Sequence, residues 1–256
     1  MKTFGVAGAA RLFKKDVETV KKWAYYFQTY LSPSANPEKG KPRSFTMEDI
    51  RVFSYIYMYW EEDPNIENIN MGLNSSGHYD NKPIDDFITS LTPIFIPIPP
   101  DIDATWTGVV FGGEYELGGL YESANSFKLA GDRLIEIGLE NYEERDLFQP
   151  AMYSYRHALE LYIKSIIGEE INHNLNDLLG KLEKFIKEKW SLKLPGWLHD
   201  LILSFDSVDP FSTAFRYGQT LPAEELYIDM GHIKNLMGWA AQAFANIKKE
   251  QEGLYF

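Results

Sequence analysis

The chain has 256 residues, enough for one large domain or two ordinary ones, and a composition of 45% hydrophobic and 15% aromatic residues supports a packed core and excludes wholesale disorder. A formal charge of −12 at pH 7 excludes a protein that coats nucleic acid over its whole surface, and the absence of cysteine excludes disulfides, zinc–thiolate sites and thiolate nucleophiles. The charge is uneven: residues 1–60 carry ten Lys/Arg against five Asp/Glu, so the other 196 carry 15 against 32, a balance of +5 beside −17. A small basic head before an acidic body suits a segment that meets phosphate while the body is repelled from it.

The apolar stretch Val6-Ala7-Gly8-Ala9-Ala10-Arg11-Leu12-Phe13 predicts a first helix over residues 5–13. A Lys14-Lys15-Asp16 corner leads to a second over 17–30, in which Lys21 and Lys22 precede Trp23. Short helix, tight turn and cationic second helix is how a helix-turn-helix reads, because the second helix must expose cations while its other side packs. Lys21 and Lys22 are the candidate phosphate contacts, with Thr19, Tyr25 and Gln28 as candidate base-edge readers. A solvated helix face is the alternative for the lysine pair. Between residues 32 and 43, four prolines or glycines exclude helix, and Lys39, Lys41 and Arg43 make the segment an exposed basic loop. Thr46, with Asp49 three residues on, caps a third helix over 46–60, and Pro64-Asn65 separates a fourth over 65–73. Phe53, Tyr55, Tyr57, Tyr59 and Trp60 recur at helical spacing, which favours a face packed on other helices or on a second subunit over a base-stacking platform.

Residues 76–112 read as a partly ordered junction packed on the body. Asn81-Lys82-Pro83 punctuates it, Ile94-Phe95-Ile96-Pro97-Ile98 suits a short extended segment, and Gly112-Gly113 ends it. No apolar stretch is long enough to span a membrane and no secretory pattern is present, so the expected compartment is the cytoplasm.

Apolar residues three and four apart predict helices over 114–142, 148–167, 175–190, 197–205 and 227–250. Long helices joined by short breaks make the region 113–256 an up-and-down bundle, and the whole chain mainly α. Within it Arg156, Glu160 and Lys164 lie four apart on one face with His157 beside them, followed by His173 and by Asp209, Arg216 and Tyr217 in a later loop. Two readings stand. The groups tie helices together, with Arg216 reaching Glu160 as a bidentate pair, or Arg156, His157, Lys164, His173 and Arg216 converge on an anion such as a nucleotide phosphate. The five histidines show no two-ligand spacing, so no metal is expected, and Gly5-Val6-Ala7-Gly8 lacks the context of a nucleotide loop, so no cofactor is expected.

Val17-x-x-Val20-x-x-Trp23, then Tyr30-Leu31-Ser32-Pro33-Ser34-Ala35-x-Pro37, then the basic loop around Gly40, then Arg43-x-Phe45-Thr46-x-Glu48-Asp49 resembles the MerR-type winged helix-turn-helix over residues 4–75. The Lys14-Lys15-Asp16 corner departs from the Gly-Val-Ser often found there. Tyr155-Arg156-His157-Ala158-Leu159-Glu160-Leu161-x-x-Lys164, His173-Asn174-Leu175 and Asp209-x-x-x-x-x-Phe215-Arg216-Tyr217 resemble a bacterial branch of the HEPN-like helical bundles over 114–250. The first resemblance implies binding of double-stranded DNA as a homodimer, hence a transcriptional regulator whose bundle dimerises and senses a ligand, protein or RNA partner. The second implies, as an alternative, an effector of a toxin–antitoxin or phage-defence system acting on nucleic acid. The ribonuclease motif of that family, Arg with a His four to six positions later, is missing after Arg133, Arg145, Arg156 and Arg216, so no catalytic residue is assigned.

Overall fold

The computed structural model describes residues 2–60, 64–99, 102–113, 118–168, 170–218 and 224–253. It is mainly helical, with eleven α-helices and one two-stranded sheet among those residues, and it divides into two compact units, Met1–Val110 and Phe111–Phe256.

In the first unit, β1 (Phe4–Gly5) pairs antiparallel with β2 (Ser44–Phe45), placing Phe4 opposite Phe45. α1 (Val6–Leu12) follows at once, and the chain turns after it because Lys14 adopts the left-handed conformation, φ 51°. Asp16 then caps α2 (Val17–Tyr26) by accepting the Thr19 amide at 2.9 Å. α2 is shorter than the spacing predicts: Gln28–Tyr30 form a 3₁₀ turn instead. α3 (Met47–Tyr59) opens with the expected capping box between Thr46 and Asp49. The buried Asp49 carboxylate also accepts the amide and hydroxyl of Ser32, both at 2.6 Å, so the loop after α2 is fastened to the start of α3.

α4 (Ile66–Asn74) begins at the cap Asn65. The following segment departs from the expected junction, since Lys82–Leu91 form α5, capped by Asn81, with Pro83 in the first turn where its missing N–H costs nothing. Ile84 and Ile88 of α5 enter the core with Val20, Trp23, Phe27 and Phe53. Ile94, Phe95, Ile96 and Ile98 are exposed and form no strand. Of the aromatic run on α3, Phe53 and Tyr55 are buried, whereas Tyr57 and Tyr59 stay roughly half exposed.

The second unit starts its helices later than predicted: α6 spans Leu120–Glu140, Gly118 has φ 85°, and residues 114–117 lie outside the described residues. A 3₁₀ segment (Tyr142–Leu147) leads to α7 (Phe148–Ile167), followed by α8 (Leu175–Trp190), α9 (Gly196–Val208), the single-turn α10 (Ala214–Tyr217) and α11 (Met230–Glu252). α7 is the central element, with 13 of its 20 residues buried among α6, α8, α10 and α11. A helix buried nearly all round cannot be read as one-faced, and its polar residues must find partners inside the protein.

α6 and α7 pack closely at Gly131, where an added Cβ would lie 2.5 Å from the Tyr155 ring. The next residue, Asp132, accepts the Tyr155 hydroxyl at 2.8 Å and the Lys128 ammonium at 2.6 Å. Gly131→Ala is therefore expected to destabilise the protein by about 1–3 kcal/mol through overpacking. Gly180→Ala, exposed on α8 with nothing within 4 Å of the new Cβ, should stabilise it by about 0.5–1 kcal/mol through helix propensity alone. Urea unfolding of both variants checks the pair, and equal shifts of one sign would contradict the close packing.

Candidate functional site

On α2 the inward positions are Val20, Trp23 and Ala24, with Phe27 just beyond, all fully buried. Their periodicity leaves Lys21, Lys22 and Tyr25 exposed on the opposite side, and Gln28 exposed in the turn that follows. Lys21 pairs with Glu18 at 2.8 Å. Lys22 has no ion pair among the described residues. Thr19 is occupied: its hydroxyl donates to Asp16 at 2.6 Å and, with its amide, holds the Asp16 carboxyl below its ordinary pKa.

In the basic loop, Lys39 and Lys41 are exposed, with Lys41 paired to Glu38 at 3.1 Å. Arg43 turns inward. Its Nη1 donates to the Ala35 carbonyl at 3.1 Å and to the Asn36 side-chain oxygen, while the Asn36 Nδ2 donates to the Ala24 carbonyl of α2. The relay Arg43–Asn36–Ala24 fastens the loop to the helix, so the half-buried Arg43 is engaged in holding the loop, as the half-buried Thr19 is in the cap of α2. Spacing could not have singled out Asn36, because its partners lie 12 residues back and seven on.

In the second unit, Arg156 has no exposure to water. Its Nε donates to the Asp209 carbonyl and its Nη2 to the His173 carbonyl, both at 2.9 Å, and its Nη1 meets Glu160 at 3.3 Å. Glu160 also accepts from Lys164 at 2.9 Å and His173 Nδ1 at 2.8 Å. Burial opposes the Glu160 charge, but the hydrogen bonds from Lys164 and His173, then their charges, outweigh it and keep its pKa below the ordinary value. Asp209 Oδ1 accepts the amides of Thr213 and Ala214 at 2.7 and 2.9 Å, starting α10. Its Oδ2 has no hydrogen-bond partner and lies 3.5 Å from Arg156 Nε, held by charge.

Arg216 does not join this network. Instead of reaching Glu160 it lies outside, donating to the Tyr153 hydroxyl at 3.1 Å and covering the rings of Tyr153 and Tyr217 at 5.1 and 5.8 Å. Tyr153 stacks on His157 (6.0 Å between centroids, 3° between planes), and His157 meets the edge of Phe127. Burial, then the neighbouring Arg216, Arg156 and Lys164, outweigh the opposing pull of Glu160 and lower the His157 pKa. The expected convergence therefore separates into two groups: a mutually neutralised network of the buried Arg156, Glu160, Lys164 and Asp209 with the exposed His173, and a ladder of Arg216, Tyr153 and His157. Tyr153 is the member that sequence spacing does not reveal. Among the described residues no three acids or histidines group as metal ligands, and no helix is long and apolar enough to cross a membrane. The chain matches no family model, no curated protein and no solved structure.

Removing Arg156 leaves Glu160 and Asp209 buried without their counter-charge, so Arg156→Met is expected to destabilise the protein by about 3–5 kcal/mol. Glu160 gives a pH signature. Its folded pKa lies below its ordinary value of 4.5, so its stabilisation is complete above about pH 4.5 and is lost as the pH falls through the folded value. Glu160→Gln should thus be less stable than the parent at pH 7, with the gap narrowing below pH 4.5 in urea unfolding. A gap independent of pH would contradict the pairing.

Proposed function

We propose that the protein is a DNA-binding transcriptional regulator. In this reading the first unit is a winged helix-turn-helix, with α2 in the major groove and the Lys39–Lys41 loop on the adjoining backbone. The second unit, a HEPN-like up-and-down bundle, provides dimerisation and the sensing of a ligand or partner. The observation that supports the proposal is the Arg43–Asn36–Ala24 relay, which ties the basic loop to α2. Groove binding needs that kind of fixed geometry between a helix and a flanking backbone clamp. A single head with about five to seven phosphate contacts binds weakly at physiological salt, so a homodimer on a two-fold site is part of the reading.

The effector alternative draws less support. Arg156 and Lys164 spend their charge on Glu160 and Asp209, which leaves that network without an unpaired group to act on a nucleic acid.

With a duplex recovered by genomic footprinting, Lys21→Ala with Lys22→Ala should weaken binding and reduce the salt slope by about 1.8, two phosphate contacts at 0.9 each. Asn36→Ala keeps every charge but frees the loop, so it should weaken binding with the slope unchanged. An unchanged slope in the double-lysine variant would overturn the placement of α2.

A further inference from the structure

We infer that the first unit binds a compact amphipathic carboxylate in a cleft beside the corner between α1 and α2. The cleft, about 280 Å³, is walled by Leu12 and Phe13 from the end of α1, Tyr57 and Met58 from α3, and Ile84 and Phe87 from α5. An apolar cavity of about 150 Å³ holds benzene, so this one has room for a body of roughly ten to twelve non-hydrogen atoms. A medium-chain fatty acid or an aryl-propionate is of that size.

Charge settles which end of the ligand lies where. Lys14 lines the cleft, and Lys15 stands over the Tyr57 ring with its Nζ 5.6 Å from the centroid. Neither lysine has an ion pair among the described residues. The described acids of α2 and α5, with the cap Asp16, are engaged elsewhere: Asp16 caps α2, Glu18 holds Lys21, Asp85 holds Arg51 and Asp86 holds Lys82. The cleft of a protein with net charge −12 is thus flanked by two cations that form no ion pair among the described residues. Ser54, which also lines the cleft, already donates its hydroxyl to the Ile50 carbonyl at 2.8 Å. It offers an anion no donor, so the carboxylate belongs beside the lysines and the hydrocarbon against the aromatic walls. The left-handed Lys14 puts that cation at the corner itself. This inference rests on the cleft alone and stands apart from the DNA reading.

Titration calorimetry of the full chain with octanoate should give saturable one-to-one binding with a Kd of about 1 mM or tighter, the strength expected of a ligand with about ten heavy atoms. Lys14→Gln should weaken octanoate by about two- to fivefold, the scale of an exposed ion pair, and leave 1-octanol unchanged. Ser54→Leu, which fills the floor, should abolish binding of both. Met58→Trp at the half-exposed rim serves the same purpose should the buried change disturb folding. Equal affinities for octanoate and 1-octanol in the parent, no saturation by 5 mM (about five times that Kd), or binding that survives both filling variants would overturn the inference. Sedimentation showing self-association that octanoate does not compete with, but Met58→Trp abolishes, would also overturn it, by making a second copy the occupant.

Discussion

A guanidinium that water cannot reach organises the second unit. Moving a charge out of water costs several kcal/mol unless counter-charge and hydrogen bonds replace the lost hydration. Arg156 finds those replacements in three places: Glu160 one turn along α7, the His173 carbonyl just before α8, and Asp209 just after α9. Satisfying one side chain thus returns two separate loops to the same point on α7. Asp209 passes the constraint on, since its Oδ1 accepts the Thr213 and Ala214 amides at the start of α10. Leucine and isoleucine packing closes the unit, but non-directional burial would tolerate other loop paths. The directional donors of Arg156 do not.

The first unit repeats the device with the opposite sign. Asp49 sits at the start of α3, almost fully buried, and its two oxygens collect the Thr46 amide along with the amide and hydroxyl of Ser32. A carboxylate has several lone-pair sites, so one side chain can cap its own helix and hold a distant loop together. Asn36 and Arg43 then hold the next stretch of that loop against α2. Buried or half-buried polar groups on rigid helices gather the loops in both units, and the exposed residues ride on loops fixed in this way.

Much of this architecture was legible in the chain because helix starts announce themselves chemically. Thr46-x-x-Asp49 precedes an apolar period and is a capping box in the structure, and Pro64-Asn65 marks the break before α4. α5 shows how the same chemistry misleads. Asn81-Lys82-Pro83 reads as a break between segments, yet Asn followed two residues later by Pro is also how a helix begins, and the apolar Ile84, Phe87 and Ile88 decide between the two. The site was less legible. The Arg156–Glu160–Lys164 ladder follows from four-residue spacing, but the hold of Arg216 on Tyr153 spans 63 positions and obeys no period. Cation–π contacts depend on which loop returns where, and that information is tertiary.

The charge asymmetry read from composition sharpens once pairing is considered. In the second unit the buried cations Arg156 and Lys164 are spent on carboxylates, so they add nothing to the field outside. In the first unit Lys14, Lys22 and Lys39 stand exposed with no ion pair among the described residues, although acids are frequent elsewhere in the chain. An exposed ion pair is worth little, so leaving these lysines unpaired sacrifices almost no stability. It does preserve a local positive potential, which falls off within about 8–10 Å at physiological salt. A partner must therefore come within that distance to feel it, and one that offers anionic groups there gains what the fold itself left uncollected.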